Sequence, residues 1–175
     1  MIFVALGANL PSAAHGPPAA GLRAALAAMP AHGIAVPRVS RFYRSAPVPA
    51  SDQPWYVNAV AEVETGLRPQ VLLRVLLDIE AAFGRVRLGR NDARVLDLDL
   101  LDYDGKVGHW PAADGLPALD LPHPRLAERA FVLLPLADLA PAWRHPASGE
   151  ALEALIAALP PAQAIEACPG SAGEA

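Results

Sequence analysis

Arg94-Val95-Leu96-Asp97-Leu98-Asp99-Leu100-Leu101 is the stretch whose reading decides the fold. Strand side chains alternate between faces, so an extended backbone here sends Asp97 and Asp99 one way and Leu96, Leu98 and Leu100 the other. Aspartate is disfavoured in strands, and two carboxylates on one face repel each other. A divalent cation offsets that cost. Hard oxygen ligands suit magnesium, which normally sits between one or two carboxylates and the phosphates of a substrate. A half-exposed strand with a merely wet acidic face fits the same residues, because Asp-x-Asp is a short motif. On this segment alone both readings stand.

Just upstream, Arg85, Arg87, Arg90 and Arg94 place four of the chain's 13 arginines within ten residues. The chain as a whole carries a formal net charge of -4, so positive charge is concentrated where the two aspartates begin. Guanidinium forks match phosphate oxygens in bidentate fashion. A magnesium–polyphosphate site needs this combination: carboxylates hold the metal, and arginines neutralise charge that shifts during transfer. The alternative is a solvated basic loop paired with its own acids, Asp92 included. The local separation of sign favours the phosphate reading.

Working outward, Ile2 to Leu6 is a short apolar run stopped by Gly7 and reads as a buried strand. Ala19 to Met29 is an alanine-rich helix ended by Pro30 and Gly33. Ile34 to Tyr43 is a second strand, with an edge or bulge at Pro37. Ser45 to Pro54 is a proline-set loop, and Tyr56 to Glu64 alternates as a third strand. Pro69 to Phe83 repeats its apolar residues at helical spacing, starts on proline and is capped by Gly84. Arg85 to Ala93 is a basic loop leading into the Asp97/Asp99 strand. The order β-α-β-β-α-β is that of an α+β ferredoxin-like sandwich, an antiparallel sheet with two helices on one face. Beyond it, Asp104-Gly105 is a turn and Gly108 to Leu119 reads as irregular. C-terminal helical additions follow: Arg125 to Leu139, interrupted by Pro135, and Ala151 to Leu159. One domain over residues 1–159 is expected, with a frayed Ala/Pro/Gly-rich tail over 160–175.

Apolar residues are 53% of the 175 and charged residues 18%, which describes a globular chain with a sizeable core. Its acidic balance argues against a general nucleic-acid or anionic-membrane binder. Cys168 is the single cysteine, so no internal disulfide forms, and no Cys/His spacing resembles a zinc site. The opening apolar run is too short for a signal peptide or a membrane span, and a cytoplasmic setting is expected. Lys106 is the only lysine, which excludes a phosphate loop ending in Lys-Ser or Lys-Thr.

Other residues are weaker signals taken singly. Glu80 follows Ile79 at the edge of a packed helical face, where a glutamate is usually just solvated. Asn58 lies inside the third strand and needs partners if buried; it either holds a loop or reads a ligand's edge. Tyr56 and Phe131 are more often core than stacking platforms.

Taken together, the motifs resemble a known family. They are Gly7-Ala8-Asn9-Leu10, Ser40-Arg41-Phe42-Tyr43-Arg44-Ser45-Ala46-Pro47 and Gln53-Pro54-Trp55-Tyr56-Val57-Asn58-Ala59. Then come Ile79-Glu80 through Gly84-Arg85-Val86-Arg87, the Arg94 to Asp99 segment, Leu121-Pro122-His123-Pro124-Arg125 and Arg129-Ala130-Phe131. In this order, over roughly residues 1–145, the chain resembles the 6-hydroxymethyl-7,8-dihydropterin pyrophosphokinases of folate biosynthesis. The resemblance implies a ferredoxin-like fold and transfer of pyrophosphate from ATP to the pterin's hydroxymethyl group, releasing AMP. It implies that Asp97 and Asp99 hold two magnesium ions, that Arg85 and Arg94 stabilise the transferring group, and that Arg87, His123 and Arg129 meet ATP phosphates. It also implies that Asn58, Glu80 and the Ser45 to Val48 backbone bond the pterin's edges, while Tyr56 and Phe131 sandwich its faces. ATP and the hydroxymethyl dihydropterin are the partners expected, and no protein partner is assigned.

Two departures stand out. The family often approaches its aspartates through Trp-Gly-Pro-Arg or Pro-Arg, whereas here the approach is Asn91-Asp92-Ala93-Arg94. The segment from Gly105 to Leu119, with Trp110, is also longer than usual. Two rivals remain on the residues: another magnesium-dependent nucleotidyl or phosphoryl transferase on a ferredoxin-like sheet, and a non-catalytic ligand-binding module.

Overall fold

A computed structural model describes residues 1–84 and 93–169. Strand β1, Ile2–Ala8, runs through Gly7 instead of stopping there. Glycine gives room at that point, because a Cβ would stand a tight 3.3 Å from Asn58 Oδ1 on the neighbouring strand. Helix α1, Pro18–Ala28, starts on a proline and passes into a 3-10 turn over Met29–His32, which ends at Gly33 with φ 76°.

The second expected strand divides in two, β2 (Ala35–Val39) and β3 (Tyr43–Ser45). Both pair with β4, Tyr56–Glu64, and the register shifts between Ala35 and Arg38, where Pro37 has no N–H to give. Between the two pieces Ser40 stays on the sheet: its N–H donates to the Val60 carbonyl, and its Oγ accepts the Val60 N–H at 3.0 Å. Helix α2, Pro69–Ala82, and strand β5, Asp97–Tyr103, complete the core motif.

The hairpin strands β6 (Gly108–Trp110) and β7 (Leu119–Leu121) correct the expectation that this stretch is irregular. Leu119 and Leu121 are buried and Trp110 packs against the same core, so the pairing is anchored by apolar contacts. Helix α3, Ala130–Leu139, also departs from expectation, since Pro135 lies inside it. Burial of Val132, Leu133, Leu136 and Leu139 around the proline offsets a penalty of about 3 kcal/mol for an interior proline. Helix α4 is Leu152–Ala157. Of the tail over 160–175, the described part, 160–169, carries β8, Ile165–Ala167, antiparallel to β3, and 170–175 lie outside the described residues.

The main sheet has the order β5-β1-β4-β3-β8, with β2 also on β4. Counting β2 and β3 as one interrupted strand, this is the split ferredoxin-like arrangement. Leu22, Leu72, Leu76 and Ile79 from α1 and α2 pack on Val4, Leu6, Ala61 and Leu98. On the opposite face Phe3, Val60 and Leu101 lie beneath α3 and α4. Leu100 and Leu101 bury on opposite sides by ordinary strand alternation, and the register shift of β5 against β1 beyond them pairs Asp102 with Phe3. No helix among the described residues is long and apolar enough to cross a membrane.

Candidate active site

The sheet register places the site. Gly7 pairs with Asp97 on one side and with Asn58 on the other, and Asn58 pairs with Tyr43. One rung further, Ala5 pairs with Asp99. Directly paired residues share a face, so two small residues in the central strand separate the carboxylates from Asn58. The outcome is a cavity of about 550 Å³ floored by Ala5 and Gly7. Arg94, Asp97, Asp99, Arg125 and Arg129 line one part of it, and Ser45, Val48, Tyr56, Asn58 and Phe131 another.

At the carboxylate end, Asp97 forms an ion pair with Arg94. Asp99 faces Arg129 Nη1 at 3.4 Å and His123 Nε2 at 3.9 Å. Burial works against charge on Arg94, yet Asp97 holds its guanidinium above the ordinary arginine value. Burial pushes the His123 imidazole below its usual range, with Asp99 pulling the other way. Burial likewise lowers Arg129, again opposed by Asp99. The cluster thus joins two carboxylates to two partly buried guanidinium groups and one imidazole.

Asn9 braces this end, a role the sequence reading did not give it. Its Oδ1 accepts the Arg94 N–H at 2.7 Å, while the N–H groups of Asn9 and Leu10 donate to the Arg94 carbonyl. Its Nδ2 donates to Gln53 Oε1 at 3.1 Å and to the Pro54 carbonyl at 3.2 Å. Tyr56 OH donates to the same Gln53 oxygen at 3.3 Å. One buried amide therefore links the entry of β5 to the loop ahead of Tyr56. The motif Gly7-Ala8-Asn9-Leu10 was a signal for this, but the partners are distant in sequence.

At the other end, the Asn58 side chain is buried and donates to Ser45 Oγ at 2.9 Å. The Arg129 guanidinium lies over the Phe131 ring, 5.4 Å from its centroid. Val48 is an exposed apolar side chain on the rim. The structure thus brings Asp97, Asp99, Arg94 and Arg129 into one cavity with Ser45, Val48, Tyr56, Asn58 and Phe131, while His123 stands beside Asp99 without lining that cavity.

Glu80 stands apart from this set. It is buried, does not line the cavity, and its Oε1 accepts the Leu98 N–H at 2.6 Å. Among the described residues no strand follows β5 at that end of the sheet order, and the α2 carboxyl serves the N–H lying between the two aspartates. Arg85 and Arg87 lie outside the described residues. The cavity also has walls that the sequence did not announce: Arg125, and the C-terminal run Ala158, Leu159, Pro160 and Gln163.

Comparison with known proteins places the chain in a family. Residues 3–141 match the family described as 7,8-dihydro-6-hydroxymethylpterin-pyrophosphokinase. The 2-amino-4-hydroxy-6-hydroxymethyldihydropteridine pyrophosphokinase of Pseudomonas aeruginosa is 42% identical over 173 residues, covering 97% of this chain and 98% of the relative. The protein of the same name from Methylorubrum extorquens is 44% identical over 142 residues, 79% of this chain and 82% of its own length. A crystal structure of HPPK-DHPS in complex with substrates superposes with a TM-score of 0.68 at 12% identity, a likeness of fold. It covers 89% of this chain, which spans only 42% of that longer one. With the aspartate pair, the Asn58 rung and the ferredoxin-like sheet in place, the chain belongs to the 7,8-dihydro-6-hydroxymethylpterin-pyrophosphokinase family.

Proposed function

We propose that this chain transfers the pyrophosphoryl group of ATP to the hydroxymethyl oxygen of 6-hydroxymethyl-7,8-dihydropterin, releasing AMP, as a step of folate synthesis. The observation that carries the reading is the two-ended cavity. A cluster of carboxylates and guanidinium groups shares one space of about 550 Å³ with a buried amide and two aromatic rings. The name borne by the curated relatives supports the same chemistry.

The residues present fit magnesium. Asp97 and Asp99 open on one cavity, and no group of three or more His, Cys, Asp or Glu side chains among the described residues forms a metal site by itself. Two carboxylates completed by substrate phosphate oxygens is a usual magnesium arrangement. Asp97 and Asp99 would hold the metal, expected as two ions, which supplies neutralisation of the polyphosphate charge.

The protein's own groups divide the work. Arg94 and Arg129 now pair with the carboxylates. Once phosphate enters, their forks bind its oxygens and follow the charge that moves toward AMP. Arg85 and Arg87 join them by resemblance. His123, held partly buried beside Asp99, donates to a phosphate oxygen. Asn58, set by Ser45, reads an edge of the pterin, and Tyr56 and Phe131 hold the ring flat so that its hydroxyl attacks in line. Most of the rate comes from this positioning and charge stabilisation.

The test is incubation of purified protein with ATP, magnesium and the hydroxymethyl dihydropterin. AMP formed only when the pterin is present is the expected result. ADP as product would indicate an ordinary kinase, inorganic pyrophosphate a nucleotidyl transferase, and either would overturn the reading.

A further inference from the structure

Helix α3 presents Arg129 and Phe131 to the cavity, yet it begins without a cap of its own. Arg129 occupies the N-cap position with φ -115° and ψ 110°, makes no side-chain cap bond, and is followed by no acidic residue in the first turn. Helix starts leave N–H groups that need outside partners. Here the partner comes from the C-terminal segment: Gln163 Oε1 accepts the Ala130 N–H at 2.9 Å. The same amide's Nε2 donates to the Glu128 carbonyl at 2.7 Å. One side chain therefore grips the backbone on both sides of Arg129, the residue whose Nη1 stands 3.4 Å from Asp99 Oδ2.

Gln163 is itself anchored. The carbonyl of Ala164 accepts the Ala46 N–H at 3.0 Å, and β8 then pairs with β3 from Ser45–Ile165 to Tyr43–Ala167. Ser45 is the residue that holds Asn58. The segment thus ties the Asn58 end of the cavity to its phosphate end, and it lies beyond residues 3–141, where the family match stops.

We infer that Gln163 is a positioning residue that aims Arg129 at Asp99 and at the phosphates of ATP. This rests on the proposed function for the identity of the ligand. Arg129 is extended between a 3-10 turn and α3: its own N–H donates to the Leu126 carbonyl, its carbonyl accepts the Val132 and Leu133 N–H groups, and Gln163 adds a side-chain clamp on the groups to either side. Release of Gln163 frees that hinge and lets the guanidinium leave its place, while the helix behind it stays packed.

The test is a double-mutant cycle read by calorimetry, with magnesium and α,β-methylene ATP as the probe. Gln163→Met keeps the side chain's bulk and loses both hydrogen bonds; Gln163→Ala loses both bulk and bonds. Each should weaken binding about tenfold, the scale typical of residues that orient a ligand-holding group. Added to Arg129→Ala, neither should cost more than a further twofold, since coupled residues are non-additive. In turnover, Gln163→Met should raise the KM for ATP more than that for the pterin. Binding by Gln163→Met equal to wild type would show that packing alone matters, and a full further tenfold loss in the Arg129→Ala background would show that Gln163 acts independently. Either result overturns the inference. Wild-type protein that binds the analogue but forms no AMP would sink the proposed activity while leaving the cycle readable. Wild-type protein that does not bind the analogue would refute both.

Discussion

Glu80 gives the sharpest prediction, because its place in the structure differs from the one its motif implied. Its Oε1 accepts the N–H of Leu98, and both residues are buried, at 2% and 1% exposure. Truncation by Glu80→Ala leaves that amide without this partner, at about 1–3 kcal/mol for a buried unsatisfied donor. The Cγ methylene is lost with it, about 0.8 kcal/mol more. The sum is about 2–4 kcal/mol, or roughly 4–16 °C in melting temperature for a chain of this size. Glu80→Gln keeps an oxygen at the same reach and should lose less than half as much.

The same substitution should act on turnover through geometry. Leu98 lies between Asp97 and Asp99, so a loosened β5 lets both carboxylates drift. Drift of a fraction of an ångström in such groups costs roughly tenfold or more in rate. Urea unfolding gives the stability term, and steady-state kinetics with each substrate varied gives the other. A positioning role predicts a lower kcat with the pterin KM within about twofold of wild type. If Glu80→Ala left stability within about 0.5 kcal/mol and instead raised the pterin KM by a hundredfold, Glu80 would be a ligand to the ring, and the role derived from the Leu98 bond would be wrong.

Three further outcomes are expected. Asp97→Ala should abolish AMP formation yet lower the unfolding free energy by no more than about 1 kcal/mol, because a partly exposed ion pair contributes little; near-normal turnover would remove the metal assignment. Gly7→Ala should push Asn58 Oδ1 from the 3.3 Å that a new Cβ would have, raising the pterin KM several-fold, roughly three to ten, with the ATP KM little changed; equal effects on both would contradict the division of the cavity. Tyr43 is raised above the ordinary phenol value, first by burial and then by its hydrogen bonds to Asp138. The folded state therefore keeps a proton that the unfolded chain releases near pH 10, so stability is intact below about pH 10 and falls as pH rises through the folded pKa. In Tyr43→Phe, thermal melts between pH 9 and 11 should show a shallower fall, and an unchanged slope would refute this.

What was legible in the sequence, and what was not, divides by range. Alternation and helical spacing located β4 and α2 almost to the residue, because apolar periodicity is local and the burial it implies is large. The split ferredoxin-like order followed from the succession of elements alone. Several of the misplaced features depend on a distant partner. β8 is three residues long, largely exposed, and meaningless until β3 offers it an edge. Gly7 reads as a terminator until Asn58 is found to lie beside it. Glu80 reads as a surface residue at the margin of a helix, and only the Leu98 N–H of β5 accounts for its buried carboxyl. At the site the same division holds: paired aspartates and clustered arginines announce themselves by charge, whereas the groups that hold them still (Asn9, Glu80, Gln163) are ordinary polar residues whose bonds span 18 to 85 positions. Selection on chemistry leaves a compositional mark, because few residue types bind phosphate or metal. Selection on position leaves almost none, because any side chain of suitable length with an acceptor serves. Supporting residues therefore have to be found by tracing which backbone groups near the chemistry lack a partner in their own element, and then which side chain supplies one.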